Sequence, residues 1–227
     1  GPDAVGDIVY VHTGSGNYAG GITLLNTQTL WGQNEALVVG GFTLQAAGTD
    51  PIIENAAGNG VTLASGNTLR GFTVGNSTTG DIVGTAVGTL TVNNVICNGT
   101  GPIFTVSTSG ALNVTLDTAS TTSSTTTGIS LTGTTGSFTA TTGAISGVSG
   151  DDVLVNGGSA TISYGGSITN TAARPVSISG KTGGTVTFSG AISDTGTGTG
   201  ISLTSNTGAT INFSGGISSS TGANTAL

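Results

Sequence analysis

Methionine is absent from the 227 residues, cysteine occurs once, and lysine and arginine together number three. A lone Cys97 excludes an internal disulfide framework and a cysteine-rich metal site. The three cations, Arg70, Arg174 and Lys181, stand far apart, and ten acids leave a net charge of −7. That balance excludes a surface able to neutralise a nucleic-acid backbone. No apolar run approaches the roughly 18 residues of a membrane-spanning helix. No basic segment leading into an apolar stretch opens the chain, so any export signal is expected outside it. Gly1-Pro2 reads either as native sequence or as what a tag-cleaving protease leaves behind.

What is abundant is glycine (42 residues) and threonine (44 residues), while charged residues make up only 6%. Polarity without charge fits either a disordered linker or a β-structure whose surface avoids charge. Disordered segments combine low hydrophobicity with high net charge, whereas here mean hydropathy is +0.26 and 35% of residues are hydrophobic. The apolar residues also alternate with Thr, Ser and Asn, as in Thr185-Val186-Thr187-Phe188 and Ala209-Thr210-Ile211-Asn212-Phe213. Period two marks strands with one buried face. The chain is expected to fold.

The C-terminal half repeats. Gly128-Ile129-Ser130-Leu131-Thr132 returns as Gly200-Ile201-Ser202-Leu203-Thr204, and Ile129, Val153, Val176 and Ile201 are 24, 23 and 25 residues apart. A second series, Ile145, Ile168, Ile192 and Ile217, keeps step at 23, 24 and 25. Repeats of 20 to 50 residues mean solenoids, propellers or arrays. Glycine and β-branched residues exclude helical repeats, and a propeller blade is longer and aromatic-signed. The reading is an all-β, right-handed parallel β-helix (a β-solenoid) of about nine coils of roughly 21–26 residues. Strand spacing near 4.8 Å makes that a rod roughly 40–45 Å long.

Residues 1–227 are read as one solenoid segment. Residues 1–60 form aromatic-richer coils, residues 61–127 irregular coils and residues 128–227 regular Gly/Thr-rich coils. In the irregular part Val61, Ile82 and Ile103 are each 21 apart, Gly21-Ile22-Thr23-Leu24 parallels Gly60-Val61-Thr62-Leu63, and Ser120 to Thr127 reads as a loop. Equivalent residues of successive coils sit one over another, where like charges repel and Thr pairs or β-branched pairs stabilise. That accounts for the scarcity of charge.

Gly6-Asp7-Ile8-Val9-Tyr10-Val11, Gly20-Gly21-Ile22-Thr23-Leu24 and Gln28-Thr29-Leu30-Trp31-Gly32 resemble the opening coils of bacterial right-handed β-helix repeat proteins with a pectate-lyase-like fold. The later Gly-Ile-Ser-Leu-Thr units resemble the Gly/Thr-rich arrays of the same proteins. The resemblance implies export, a cell-surface or extracellular location, and a segment of a longer chain. It carries no catalytic residue across.

No catalytic or cofactor-binding set emerges, and the chain is not expected to be an enzyme. Glycoside hydrolysis needs two facing carboxylates, but the acids are scattered, with no Arg or Lys beside an acidic cluster. Asp151-Asp152 after Gly150 reads as a solvated turn, with a weak Ca²⁺ site as the alternative. His12 reads as a surface residue, Cys97 as a buried small hydrophobe, and Gly180-Lys181-Thr182 as a turn rather than a phosphate loop. Tyr10, Tyr18, Trp31 and Phe42 read as a heavy first coil closing the core. The sharper alternative makes Tyr18 and Trp31 a glycan platform. Threonines drift between coils, so no unbroken threonine face is expected. The expected role is a structural or adhesive extracellular rod, a spacer or fibre-forming segment. Its partners would be further coils or other copies, or cell-surface glycans. A carbohydrate-binding module, and behind it a polysaccharide lyase or hydrolase, are the alternatives.

Overall fold

The computed structural model describes residues 3–224, and Gly1-Pro2 and the last three residues lie outside that range. No helix occurs among the described residues; the chain winds as a parallel β-solenoid of about nine turns. Right-handedness, the expected sense, follows the general rule for parallel crossovers.

Each turn crosses three faces in the same order. Face 1 stacks Ile22–Thr23, Asn59–Thr62, Gly80–Thr85, Phe104–Ser107, Ile129–Thr132, Val153–Asn156, Val176–Ser179 and Ser202–Thr204. Face 2 begins with Ile8–Val11 and Thr29–Gly32 and ends with Thr161–Tyr164, Thr185–Phe188 and Thr210–Phe213. Face 3 ends with Ala144–Ser146, Ser167–Asn170, Ile192–Thr195 and Ile217–Ser220. In the middle of the rod Thr68–Gly75, Thr89–Gly99 and Gly110–Thr121 run unbroken from face 2 into face 3.

The expected periodicity is the register itself. Ile145, Ile168, Ile192 and Ile217 pair one with the next, as do Ile129, Val153 and Val176. On face 2 the inward column runs Leu30, Leu69, Val92, Val114, Phe138, Ile162, Val186, Ile211. All but the last of these are buried in one continuous core. The next outward column is Thr115, Thr139, Ser163, Thr187 and Asn212, so no unbroken threonine rank forms there.

Three expectations need correction. The 21-residue step breaks at Ile103: Ile82 pairs with Phe104. Ile103 accepts the Ile82 amide from the position before it, at the edge between faces 3 and 1. Both Ile103 and Phe104 are buried, so apolarity alone could not choose between them. The Ser120–Thr127 loop is shorter than expected, because Ser120 and Thr121 finish a strand and Ser124 bridges to Val148. Tyr10, Trp31 and Phe42 do not close the core. Tyr10 and Trp31 pair on the outward side of face 2, beside the inward column of Val9 and Leu30. Phe42 is 74% exposed on an antiparallel hairpin, Leu37–Val39 with Phe42–Gln45, that leaves the solenoid. Gly40 and Gly41 turn that hairpin, both at positive φ (59° and 83°), as a two-residue primed turn requires.

Gly32 lies where the second coil meets the next. A Cβ there would stand 2.1 Å from the Gly71 carbonyl oxygen, so only glycine lets the two backbones approach.

Candidate functional site

The densest group of polar side chains occupies the outer edge where face 2 turns into face 3, over the early coils. In-register stacking puts Trp31 between Tyr10 and Arg70 along the rod. The Arg70 guanidinium lies 4.2 Å from the Trp31 ring centroid, a cation–π contact. Arg70 also forms a salt bridge with Glu35. The other Glu35 oxygen accepts from Asn94 Nδ2 at 2.9 Å, and Asn34 Nδ2 donates to Asn94 Oδ1 at 3.2 Å. Asn94 reaches the edge from a left-handed backbone position (φ 51°), which asparagine tolerates better than most residues.

Two more acids join this edge. Asp50 Oδ2 accepts from Thr73 Oγ1 at 3.3 Å. Partial burial raises the Asp117 pKa, with further contributions from the charges of Asp50 and Glu35. Acids scattered in sequence are therefore gathered here, with Arg70 beside them. The chain segment that carries the hairpin makes this possible: it leaves the solenoid at Glu35 and returns at Asp50, bringing both to strands already stacked. Hydrogen-bond donors hold both oxygens of Glu35, so the cluster is a braced ion pair with an aromatic wall.

Tyr18 and Trp31 do not form one platform. Tyr18 pairs with Ile53 on face 3, whereas Trp31 is on face 2. The Tyr18 hydroxyl donates to the His12 carbonyl at 2.6 Å. With Val9, Val11, Ile22 and Ile53, Tyr18 lines an apolar recess of about 390 Å³ at the N-terminal end of the rod. Trp31 is half-buried, and one side of its ring is already taken by Arg70.

Asp151 and Asp152 part company. Asp151 is partly exposed, but Asp152 is completely buried, so the solvated-turn reading fails for Asp152. Alternation does not explain it, since Val153, the first residue of a face 1 strand, is itself inward: Asp152 is enclosed at the corner just before that strand begins. Asn170 Nδ2 donates to Asp152 Oδ2 at 3.0 Å. Among the described residues no group of three His, Cys, Asp or Glu side chains is placed to hold a metal ion. His12 is exposed, its Nδ1 2.8 Å from the Thr13 carbonyl oxygen. Cys97 is buried in the face 3 column between Val74 and Ala119. Burial holds its thiol pKa well above the ordinary value. Lys181 sits in a turn but is fully buried, its Nζ donating to the Ala160 carbonyl at 2.8 Å.

The enclosed Asp152 carboxyl and the braced Glu35–Arg70 pair escaped the sequence reading. The hairpin signal was present in the Gly40-Gly41 pair flanked by apolar runs. The 35-residue separation of Glu35 and Arg70 carries no local signal. No protein-family model, no curated protein and no solved structure matches this chain.

Proposed function

We propose that the chain is a structural and adhesive rod, a spacer or fibre-forming segment of an exported bacterial surface protein with a pectate-lyase-like β-helix. The observation that carries this reading is the unbroken in-register core, which runs the length of the rod beneath a nearly uncharged surface. In a solenoid each coil contacts only its neighbours, so length grows with repeat number while the cross-section stays constant. A strand left unpaired at an end of such a rod is a template for another coil, from the same chain or another copy. The test is surface labelling and protease shaving of intact cells that make the protein. Label and cleavage on intact cells support the reading; protection until lysis contradicts it.

A carbohydrate-binding module is the second reading, favoured by the Trp31–Arg70–Glu35–Asn94 edge. A glycan array with the native chain and Arg70→Ala tests it: binding lost in the variant at unchanged melting supports it, and no binding by the native chain removes it. Activity on polygalacturonate with and without Ca²⁺ tests the enzymatic alternative in the same way.

A further inference from the structure

Three carboxyls are enclosed along the edge where face 3 turns into face 1: Asp81, Asp152 and Asp194, each no more than 1% exposed. Asp81 and Asp152 occupy one column, because Ile82 and Val153, the residues after them, are linked through Phe104 and Ile129. Asp194 stacks on Asn170, which itself donates to Asp152 Oδ2. The Gly200 amide donates to Asp194 Oδ2 at 2.9 Å. In all three acids Oδ1 is buried without a hydrogen-bond partner.

Among the described residues no cation offsets them. Asp152 has Asp151 beside it, Asp194 beyond Asn170 nearly two coils away, and the Tyr164 phenol, which donates to the Ala119 carbonyl. Asp81 faces Ser77 and Cys97. Arg174 comes closest along the chain, its carbonyl accepting the Asp152 amide. The only salt bridge among the described residues is Arg70 with Glu35. Lys181 is bound to the Ala160 carbonyl on the edge between faces 1 and 2.

We propose that this edge is a pH-responsive seam, in which the three aspartates are neutral acids while the coils are closed, and ionisation of Asp152 and Asp194 loosens the coils from Val153 to Thr195. An unpaired carboxylate in an apolar interior costs far more than a protonated acid, so the group keeps its proton. Burial accordingly pushes Asp81 and Asp152 up to about 8, and it raises Asp194 as well. In the unfolded chain these groups titrate near the ordinary value of about 3.9. A raised folded-state pKa means that the stability is fully present below that value. It is lost as pH rises toward about 8 and then levels off. Asp81 and Asp152 each weaken folding by up to about tenfold per pH unit across that window, and Asp194 adds a loss of the same sign. Because coils contact only their neighbours, the loss is local. It is greatest where Asp152 and Asp194 ionise within reach of each other.

The test follows thermal unfolding and coil-resolved amide exchange of the whole chain from about pH 5 to pH 9, with carboxyl titration by NMR. The expected result is a melting temperature that falls with pH. Exchange should quicken tenfold or more over residues 153–195 beyond the ordinary base-catalysed rise, and Asp152 should titrate several pH units above a normal carboxyl. The double variant Asp152→Asn, Asp194→Asn should weaken the dependence, leaving only the share of Asp81, and remove the quickened exchange over residues 153–195. Stability that is flat or rising with pH, or an Asp152 carboxyl titrating in the ordinary range in the folded rod, overturns the proposal. If the double variant does not fold, the native carboxyl titration decides alone.

Discussion

Side chains in this rod act mainly through the column they occupy. Ile162 lies between Phe138 and Val186, 2% exposed, so its truncation removes contacts on both neighbouring coils at once. Ile162→Ala should cost about 2–5 kcal/mol, read from denaturant unfolding. Ile192→Asp, which puts an unpaired carboxyl between Ile168 and Ile217, should abolish cooperative melting. The Arg70–Glu35 pair is partly exposed, with side chains 33% and 17% accessible. A double-mutant cycle on it should give no more than about 1 kcal/mol of coupling. A much larger value would mean that the edge is enclosed in solution. At this scale the inward residues were largely legible, because alternation assigns them directly. Asp152 was not, since an aspartate after Gly150 carries the same local signal whether it faces water or core.

Among the elements, the hairpin is the one that breaks the winding. Val38, Val39, Phe42 and Leu44 are all exposed on it, and no strand of the solenoid pairs with it. Replacing residues 37–45 with a short Gly/Ser link should leave the melting temperature within a few degrees of native and improve solubility, because large exposed apolar patches favour association. A loss of more than about 2 kcal/mol would show that the hairpin braces the early coils. The coils themselves were readable where both landmarks recur at 23 to 25 residues. They were less so at Ile103, where two buried residues compete for one step, and between Thr23 and Thr62, which pair across 39 residues because the hairpin lies between them.

Taken whole, the molecule is a stack of layers whose strength lies in repetition and whose weakness lies at its seam of buried acids. With about nine layers near 4.8 Å, the 222 described residues should form a particle roughly 40–45 Å long in X-ray scattering. Its resistance to unfolding should be greater in mild acid than at alkaline pH. The most direct test of the stacking itself is paired-cysteine trapping on face 2, where Ser163 pairs with Thr187, and Thr187 with Asn212. Ser163→Cys with Thr187→Cys should oxidise readily to an intrachain disulfide, since adjacent strands fall within disulfide reach. Ser163→Cys with Asn212→Cys, two layers apart, should not. Cross-linking of the second pair in preference to the first would contradict the register on which every column depends.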